Sequence, residues 1–485
     1  MAQHPAEHGV TDSIAARLDR LPPTRAHREA TVIAGIGTFF DLFDIFLAGV
    51  LGTVLVEHFA LSRAALPPIL ASNFIGMFIG ATCLGWCADR AGRRAMFLVN
   101  LGLYSFFTLL GAFSTGPAML IATRFVAGIG IGAELLLVDA YVGELLPRAV
   151  RGRYTAWAYT LGFLGVPAAG FLARALVPLT PFGIDGWRWM FVVGSMGAAV
   201  VWLLRTRLPE SPRWLESVGR VAEAEQIVAR FEREAGPLLQ RLSALQGRPT
   251  APSIACPSGR LREQGPNVMA SGDASMPLCD AVTVARVGLA DLARPAHRGR
   301  MAMLCVLQVF QAFGYYGFGT LVPTVLAGKG YSVATSLAFT SVTFIGYPVG
   351  SALSLPIVER VDRRWLLAGA AALMSVFGLI LGYSTSPAAI LTSGFLYTAA
   401  SNVFSNAHHI FQVEIFPTSV RTTAAGAAYG LSRLSTAAMP FVLVPVLDRW
   451  GAGTMFACVA LALWIVIADV ALFAPSTTGR PLERI

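Results

Sequence analysis

Glu144-Leu-Leu-Pro147-Arg-Ala-Val-Arg151 is followed 270 residues later by Glu414-Ile-Phe-Pro417-Thr-Ser-Val-Arg421. A second pair of stretches keeps the same offset: Asp89-Arg90-Ala-Gly92-Arg93-Arg94 and Glu359-Arg360-Val-Asp362-Arg363-Arg364. Two anchor pairs with one offset argue for an old duplication of about half the chain. What the duplicated unit is follows from the sequence around it. Of 485 residues, 55% are hydrophobic and only 13% charged, against about 25% charged in a soluble domain. Too few charges are present to cover a water-facing surface of this size.

The apolar residues come in blocks near the roughly 20 residues that a helix needs to cross a bilayer. Lipid offers backbone groups no partner, so only helices or a closed barrel span it. The short alternating segments of a barrel are absent. The sequence therefore predicts an all-α membrane protein with twelve transmembrane helices in two pseudo-symmetric six-helix bundles. The predicted spans are 31–56, 67–88, 95–113, 118–142, 154–176 and 187–206, then 301–327, 334–357, 365–383, 388–413, 422–446 and 451–473. Residues 1–30 read as a cytoplasmic N-terminal tail and 31–206 as the first bundle. Residues 207–300 read as a cytoplasmic loop, helical and amphipathic at first and disordered from about 247 to 278. The second bundle occupies 301–473, and 474–485 form a C-terminal tail.

The formal charge is +9. By this topology only Arg63, Arg174, Arg188, Lys329 and Arg449 fall on one side. The other cations fall in the opposite loops and the tails, which places both termini in the cytoplasm, as in a bacterial inner membrane. That bias, not nucleic-acid binding, accounts for the basic charge. Cys83, Cys87, Cys305 and Cys458 lie in apolar spans and read as small hydrophobes. Cys256 and Cys279 fall in the loop. No nucleotide-binding loop, metal cluster or nucleophile elbow is visible, so neither an enzyme nor a cofactor is expected.

Three groups of residues carry a family pattern. Gly85-Trp-Cys-Ala-Asp89-Arg90-Ala-Gly92-Arg93-Arg94 resembles the signature loop between the second and third helices of the major facilitator superfamily. Arg124, Gly128, Gly130, Gly132, Tyr141, Glu144, Pro147, Arg151 and Gly152 resemble the fourth helix of its sugar-porter-like branch, and Pro209-Glu210-Ser211-Pro212-Arg213-Trp214-Leu215 resembles the motif after its sixth. The resemblance covers about residues 31–475. It departs from sugar porters in the seventh helix: Gln308-Val-Phe-Gln311-Ala-Phe-Gly314-Tyr315-Tyr316 keeps the double Tyr but lacks the Gln-Gln pair and the Asn. Acidic residues at Asp41, Asp44 and Glu134 resemble those of proton-coupled organic-acid and niacin-type transporters. The resemblance implies a proton symporter of a small organic solute, more an organic or aromatic acid than a hexose. A sugar or polyol porter, or a transporter-like membrane sensor, are the alternatives.

The resemblance also implies a cytoplasmic gate. Its members here are Asp89, Arg90, Gly92, Arg93, Arg94, Glu144, Arg151, Glu210 and Arg213 in the first half, with Glu359, Arg360, Arg363, Glu414 and Arg421 in the second. Gly92 permits a left-handed turn that Asp362 does not, so the second copy should be reshaped.

Ionisable residues deep in a span are costly and mark functional sites. Asp41 and Asp44 lie about mid-membrane, three residues apart on one face. Two carboxyls sharing a site do not both ionise, which suits a proton carrier. Proton coupling is assigned to Asp41, Asp44 and Glu134. Arg124, at a depth similar to Asp44, is positioned to pair with it. A substrate site is assigned to Arg124, Gln308, Gln311, Tyr315, Tyr316, Asn402, Asn406, His409 and Arg433, with arginine suited to a planar carboxylate. The expected partners are thus a small-molecule substrate, protons and the lipid bilayer; the oligomeric state stays open.

Overall fold

A computed structural model describes residues 13–147, 150–245, 295–358, 360–416 and 418–475. Glu359, Cys256, Cys279 and the stretch 247–278 lie outside the described residues, as do the side chains of Asp89 and Arg421.

The described residues are helical. A short helix α1 (Ile14–Arg20) precedes α2 (Arg25–Val50), α3 (Gly52–His58), α4 (Leu66–Ala91), α5 (Arg93–Ala112) and α6 (Pro117–Leu145). Then come α7 (Arg151–Phe163), α8 (Gly165–Leu176), α9 (Gly186–Arg205), α10 (Pro212–Ser217) and α11 (Val221–Leu245). The second half holds α12 (Pro295–Gly328), α13 (Val333–Phe344), α14 (Gly346–Val358), α15 (Arg363–Tyr383), α16 (Pro387–Glu414) and α17 (Thr418–Phe473).

Twelve membrane crossings result. α2 with α3, α7 with α8, and α13 with α14 are each one crossing with a break in it. α17 is two crossings, because Gly451 turns the chain at φ 79°. At about 1.5 Å per residue its 56 residues would otherwise be far too long for one bilayer. α16 is not among the helices that length and apolarity alone mark as spans. It carries Asn402, Asn406, His408, His409 and Gln412, whose polarity its neighbours must satisfy. Around the outside, Phe106, Met196, Leu373, Leu461, Trp464 and Leu472 are all more than half exposed. A surface this apolar is stable only against lipid.

Each bundle packs on itself before it meets the other. In the first, α4 packs on α6, and α5 on α6 and α9; in the second, α12 and α15 pack on α17. Between bundles, α4 lies against α17, α8 against α13 and α2 against α12. On the face away from the termini this seam is closed. Gly49 on α2 touches Thr320 so closely that an added Cβ would sit 2.5 Å from the Thr320 Cα. Phe46 stacks on Tyr316, with ring centroids 6.3 Å apart, and Arg63 reaches Asp448 at 3.3 Å.

The termini and the long connection share the other face, called the loop face below. Here the tail is no free strand. Ser13 caps α1, and Ile14 and Leu18 bury themselves with Trp214, Leu215, Val228 and Phe231 of α10 and α11. Arg17 holds Glu225 at 2.6 Å and Glu232 at 2.9 Å. Those two carboxylates, Glu232 foremost, push the Arg17 guanidinium further up from its usual range. Asp19 is gripped by Arg213 at 2.7 Å and Arg151 at 3.4 Å.

Candidate functional site: a cavity between the bundles

A cavity of about 100 Å³ lies between the two bundles. Gln308, Gln311 and Tyr315 reach it from α12 because residues three and four apart share a helix face. Their amides form a chain: Gln308 Nε2 donates to Gln412 Oε1 at 3.1 Å, and Gln311 Nε2 donates to Gln308 Oε1 at 3.2 Å and Ser432 Oγ at 3.0 Å. Tyr316 lines the same wall.

Arg433 supplies the cation. Its Nη1 donates to the Tyr316 hydroxyl at 2.6 Å and its Nη2 to the Tyr429 hydroxyl. The guanidinium lies 4.4 Å from the Tyr429 ring centroid and 5.2 Å from that of Tyr316. It is 3% exposed, and its Nε has no hydrogen-bond partner among the described residues. Neutral hydroxyls and ring faces attract a cation but leave its charge uncancelled.

The first bundle contributes Asp139 and Tyr159. The Tyr159 hydroxyl donates to Asp139 Oδ1 at 2.7 Å, and its ring stacks on that of His409 across the seam, centroids 6.0 Å apart. Asp139 and His409 are both exposed to the cleft. With the opposite face closed, the cavity is reached from the loop face.

The acidic residues assigned to proton coupling lie beneath the cavity wall rather than on it. Asp44 and Arg124 form a fully buried pair: Nη1 donates to Oδ1 at 2.8 Å, Nη2 lies 2.7 Å from Oδ2 and also donates to the Asp44 carbonyl at 3.0 Å. Thr108 adds a longer contact to the same carboxylate at 3.4 Å. Glu134 pairs with Arg205 of α9, which also lies over Phe97. Gly37 leaves the room that this guanidinium fills. Asp41 lies within electrostatic reach of Glu134, Arg205 and Asp44, yet both its oxygens are buried with no hydrogen-bond partner among the described residues.

The assigned substrate residues divide accordingly. Gln308, Gln311, Tyr315, Tyr316, His409 and Arg433 meet at the cavity. Arg124 does not; Asp44 occupies it. Nor do Asn402 and Asn406. Asn402 Nδ2 donates to the Tyr347 carbonyl, and Asn406 Nδ2 donates to Ser354 Oγ at 2.7 Å and Ser351 Oγ at 3.3 Å, so both amides fasten α16 to α14. Their common face is real but is turned into its own bundle. Arg205 is absent from the residues assigned from the sequence; a basic residue in the last turn of an apolar helix is the available signal.

At the loop face the two cassettes repeat atom by atom. Arg93 reaches Glu144 Oε1 at 3.1 Å and donates to the Ala88 carbonyl at 2.9 Å. Arg363 reaches Glu414 Oε1 at 3.5 Å and donates to the Val358 carbonyl. These pairs tie helix ends within a bundle. Gly92 turns at φ 99°, and the Glu210 carboxylate sits over the turn, accepting the backbone N–H of Arg93 at 3.0 Å and of Arg94 at 3.2 Å. Arg94 Nη2 donates to the Thr206 carbonyl at 2.6 Å. In the second half Asp362 has φ −58° and caps α15 with its own side chain, accepting from the Arg364 N–H at 3.1 Å. Arg90 and Arg360 are exposed at the two turns.

Residues 30–244 and 285–485 match the sequence profile of the sugar (and other) transporter family. The chain belongs to that family. It is 31% identical to YyaJ of Bacillus subtilis (strain 168), assigned to metabolite transport, over 87% of this chain and 86% of that one. It is 27% identical to the niacin transporter NiaP of Acinetobacter baylyi, over 97% and 99%. It is 25% identical to the arabinose-proton symporter of Bacillus subtilis (strain 168), over 96% of each chain. The fold matches the partially occluded inward open conformation of the xylose transporter XylE from E. coli, with TM-score 0.71 and 20% identity over 93% of this chain and 99% of that one. The chain is thus a multi-pass transporter of the major facilitator type, not an enzyme.

Proposed function

We propose that this transporter is a proton-coupled symporter of a small organic acid that works by alternating access, with its loop face and both termini in the cytoplasm. One observation carries the anion: Arg433, a buried cation on the cavity wall whose contacts among the described residues are with hydroxyls and rings. A charge held this way is costly until an anion neutralises it. An arriving carboxylate takes two N–H groups of the guanidinium, including the idle Nε. Arg433 is also joined to Tyr316, whose ring packs on Phe46 and Phe74 of the first bundle. Substrate capture thereby reaches the seal on the opposite face.

Asp41 is the residue best suited to carry the proton. An ionised carboxylate without a partner is strongly disfavoured in an apolar interior, whereas a neutral acid costs far less. Deprotonated, Asp41 competes with Glu134 for Arg205. That competition gives the first bundle two charge arrangements separated by one proton. Asp44 serves chiefly to hold Arg124, and Glu134 to hold Arg205. NiaP as a niacin transporter agrees with a small solute, and the arabinose-proton symporter with coupling to protons. The amide chain of Gln308, Gln311 and Gln412 favours a second reading, a polyol or sugar porter, because amides suit hydroxyls.

The test is uptake by proteoliposomes under an imposed pH gradient, with labelled benzoate, nicotinate, a dicarboxylate and hexoses. Saturable, gradient-driven uptake of a carboxylate is expected. Saturable hexose uptake that ignores the gradient would overturn the reading.

A further inference from the structure

Tyr159 and Tyr429 are 270 residues apart and hold equivalent places in the two bundles. Both line the cavity, and each hydroxyl engages an ionisable side chain on that wall. The signs are opposite: Tyr159 donates to the Asp139 carboxylate, whereas Tyr429 accepts from the Arg433 guanidinium. Asp139 makes no salt bridge with any described residue within 4 Å, and it is open to the cleft rather than sealed in the wall. Tyr429 lies in electrostatic reach of both Asp139 and Arg433, so the two charges flank one small space. Nothing in the pairing of Asp41, Asp44 or Glu134 uses Asp139.

We infer that the cavity is bipolar, with Asp139 receiving a cationic nitrogen of the substrate while Arg433 receives its carboxylate, so that the transported solute is a small zwitterion. This rests on the reading of Arg433 given above for the carboxylate end only. The physics is that of matched desolvation. Each fixed charge faces the cavity without an ionic partner, and a solute with one charge of each sign neutralises both at once. A plain monoanion leaves Asp139 uncompensated and adds like-charge repulsion to it. Tyr159 positions Asp139 by holding one oxygen, which leaves the other turned to the solute. The aromatic face formed by Tyr159 and His409 sits beside that pole and suits a delocalised cation.

The experiment is equilibrium binding to the purified full chain of three probes of one ring size: benzoate (anion), N-methylpyridinium (cation) and N-methylnicotinate (zwitterion). Wild type should bind N-methylnicotinate at least tenfold more tightly than benzoate. Asp139→Asn should cut that ratio at least tenfold, and Tyr159→Phe should cut it in the same direction by less. Arg433→Gln should weaken benzoate binding about 10- to 100-fold while N-methylpyridinium binding persists. Benzoate bound through Arg433, with N-methylnicotinate no tighter and Asp139→Asn without effect on the ratio, overturns the bipolar site alone. The same holds if Asp139→Asn alters only the pH profile of uptake. N-methylpyridinium bound through Asp139, with no benzoate binding, overturns the carboxylate reading of Arg433 and leaves the cationic pole standing. Binding of none of the three overturns both.

Discussion

Arg93 and Arg363 make the same two contacts from equivalent places in the two bundles. Each guanidinium bonds the carbonyl five residues before it and a glutamate on the helix that ends beside it. The exposures match too, 13% and 24% for Arg93 and Glu144 against 11% and 21% for Arg363 and Glu414. Partly exposed pairs of this kind are worth about 1 kcal/mol. Glu144→Ala and Glu414→Ala should therefore lower stability by similar amounts in thermal unfolding of the purified protein. A difference above about 2 kcal/mol would contradict their equivalence.

The turns beside these arginines should respond unequally. Gly92→Ala forces a side chain into a left-handed backbone and places Cβ 2.5 Å from Glu210 Oε2. It should cost about 1–3 kcal/mol. Asp362→Gly removes only a cap and should cost a few tenths of a kcal/mol. The check is the pair of unfolding midpoints measured side by side; equal shifts would mean that the two turns are not built differently.

Asp41 and Asp44, one helical turn apart, should separate cleanly. Asp44→Asn strips the buried Arg124 of its partner and should destabilise by about 3–5 kcal/mol, with poor recovery of folded protein. Asp41→Asn breaks no hydrogen bond or ion pair with a described residue and should fold with near wild-type yield. In proteoliposomes it should lose uphill accumulation driven by a pH gradient while keeping substrate exchange. For wild type, a proton taken up with the solute means accumulation that rises as the outside is acidified. An Asp41→Asn protein that still accumulates substrate with the gradient would remove Asp41 from the coupling step.

Arg433 gives the sharpest substrate prediction. Hydrogen bonds to a charged group contribute about 1.5–3 kcal/mol, so Arg433→Gln should raise the carboxylate KM about 10- to 100-fold. Arg433→Lys should rescue little, because an ammonium cannot bond a carboxylate through two parallel N–H groups or stack between Tyr316 and Tyr429. Uptake of a carboxylate with unchanged KM in Arg433→Gln would show that the anion binds elsewhere.

Legibility in the sequence followed periodicity and repeats. The offset seen in two motif pairs recurs in single hydrogen bonds, because duplicated turns with the same residues make the same contacts. Apolar block lengths placed the crossings within a few residues, although the breaks after Val50, Phe163 and Phe344 are marked only by Gly52, by Gly165 and Pro167, and by Gly346 and Pro348, residues that a crossing helix also tolerates. The Asp44–Arg124 pair was readable from depth alone. What a helix faces was not: Asn402 and Asn406 share a face, but only three-dimensional packing shows that α14 covers it. Asp139 is absent from the residues assigned from the sequence, since its meaning depends on Tyr159, His409 and Arg433 from three other helices. The docked α1 had a local signal, Ser13 before Ile14 and Leu18 at helical spacing, that its surrounding charges obscured.

The strapping of α1 to α10 and α11 bears on how two such bundles divide a motion between them. Asp19 bound by Arg151 and Arg213, and Arg17 bound by Glu225 and Glu232, cross-brace the first bundle at its base. No described helix of the second half is braced in this way. Under the rocking proposed above, the first bundle then moves as one braced body at its base, and give within a half falls in the second. Distances between labels on α15 and α16 should vary more than those between labels on α5 and α6.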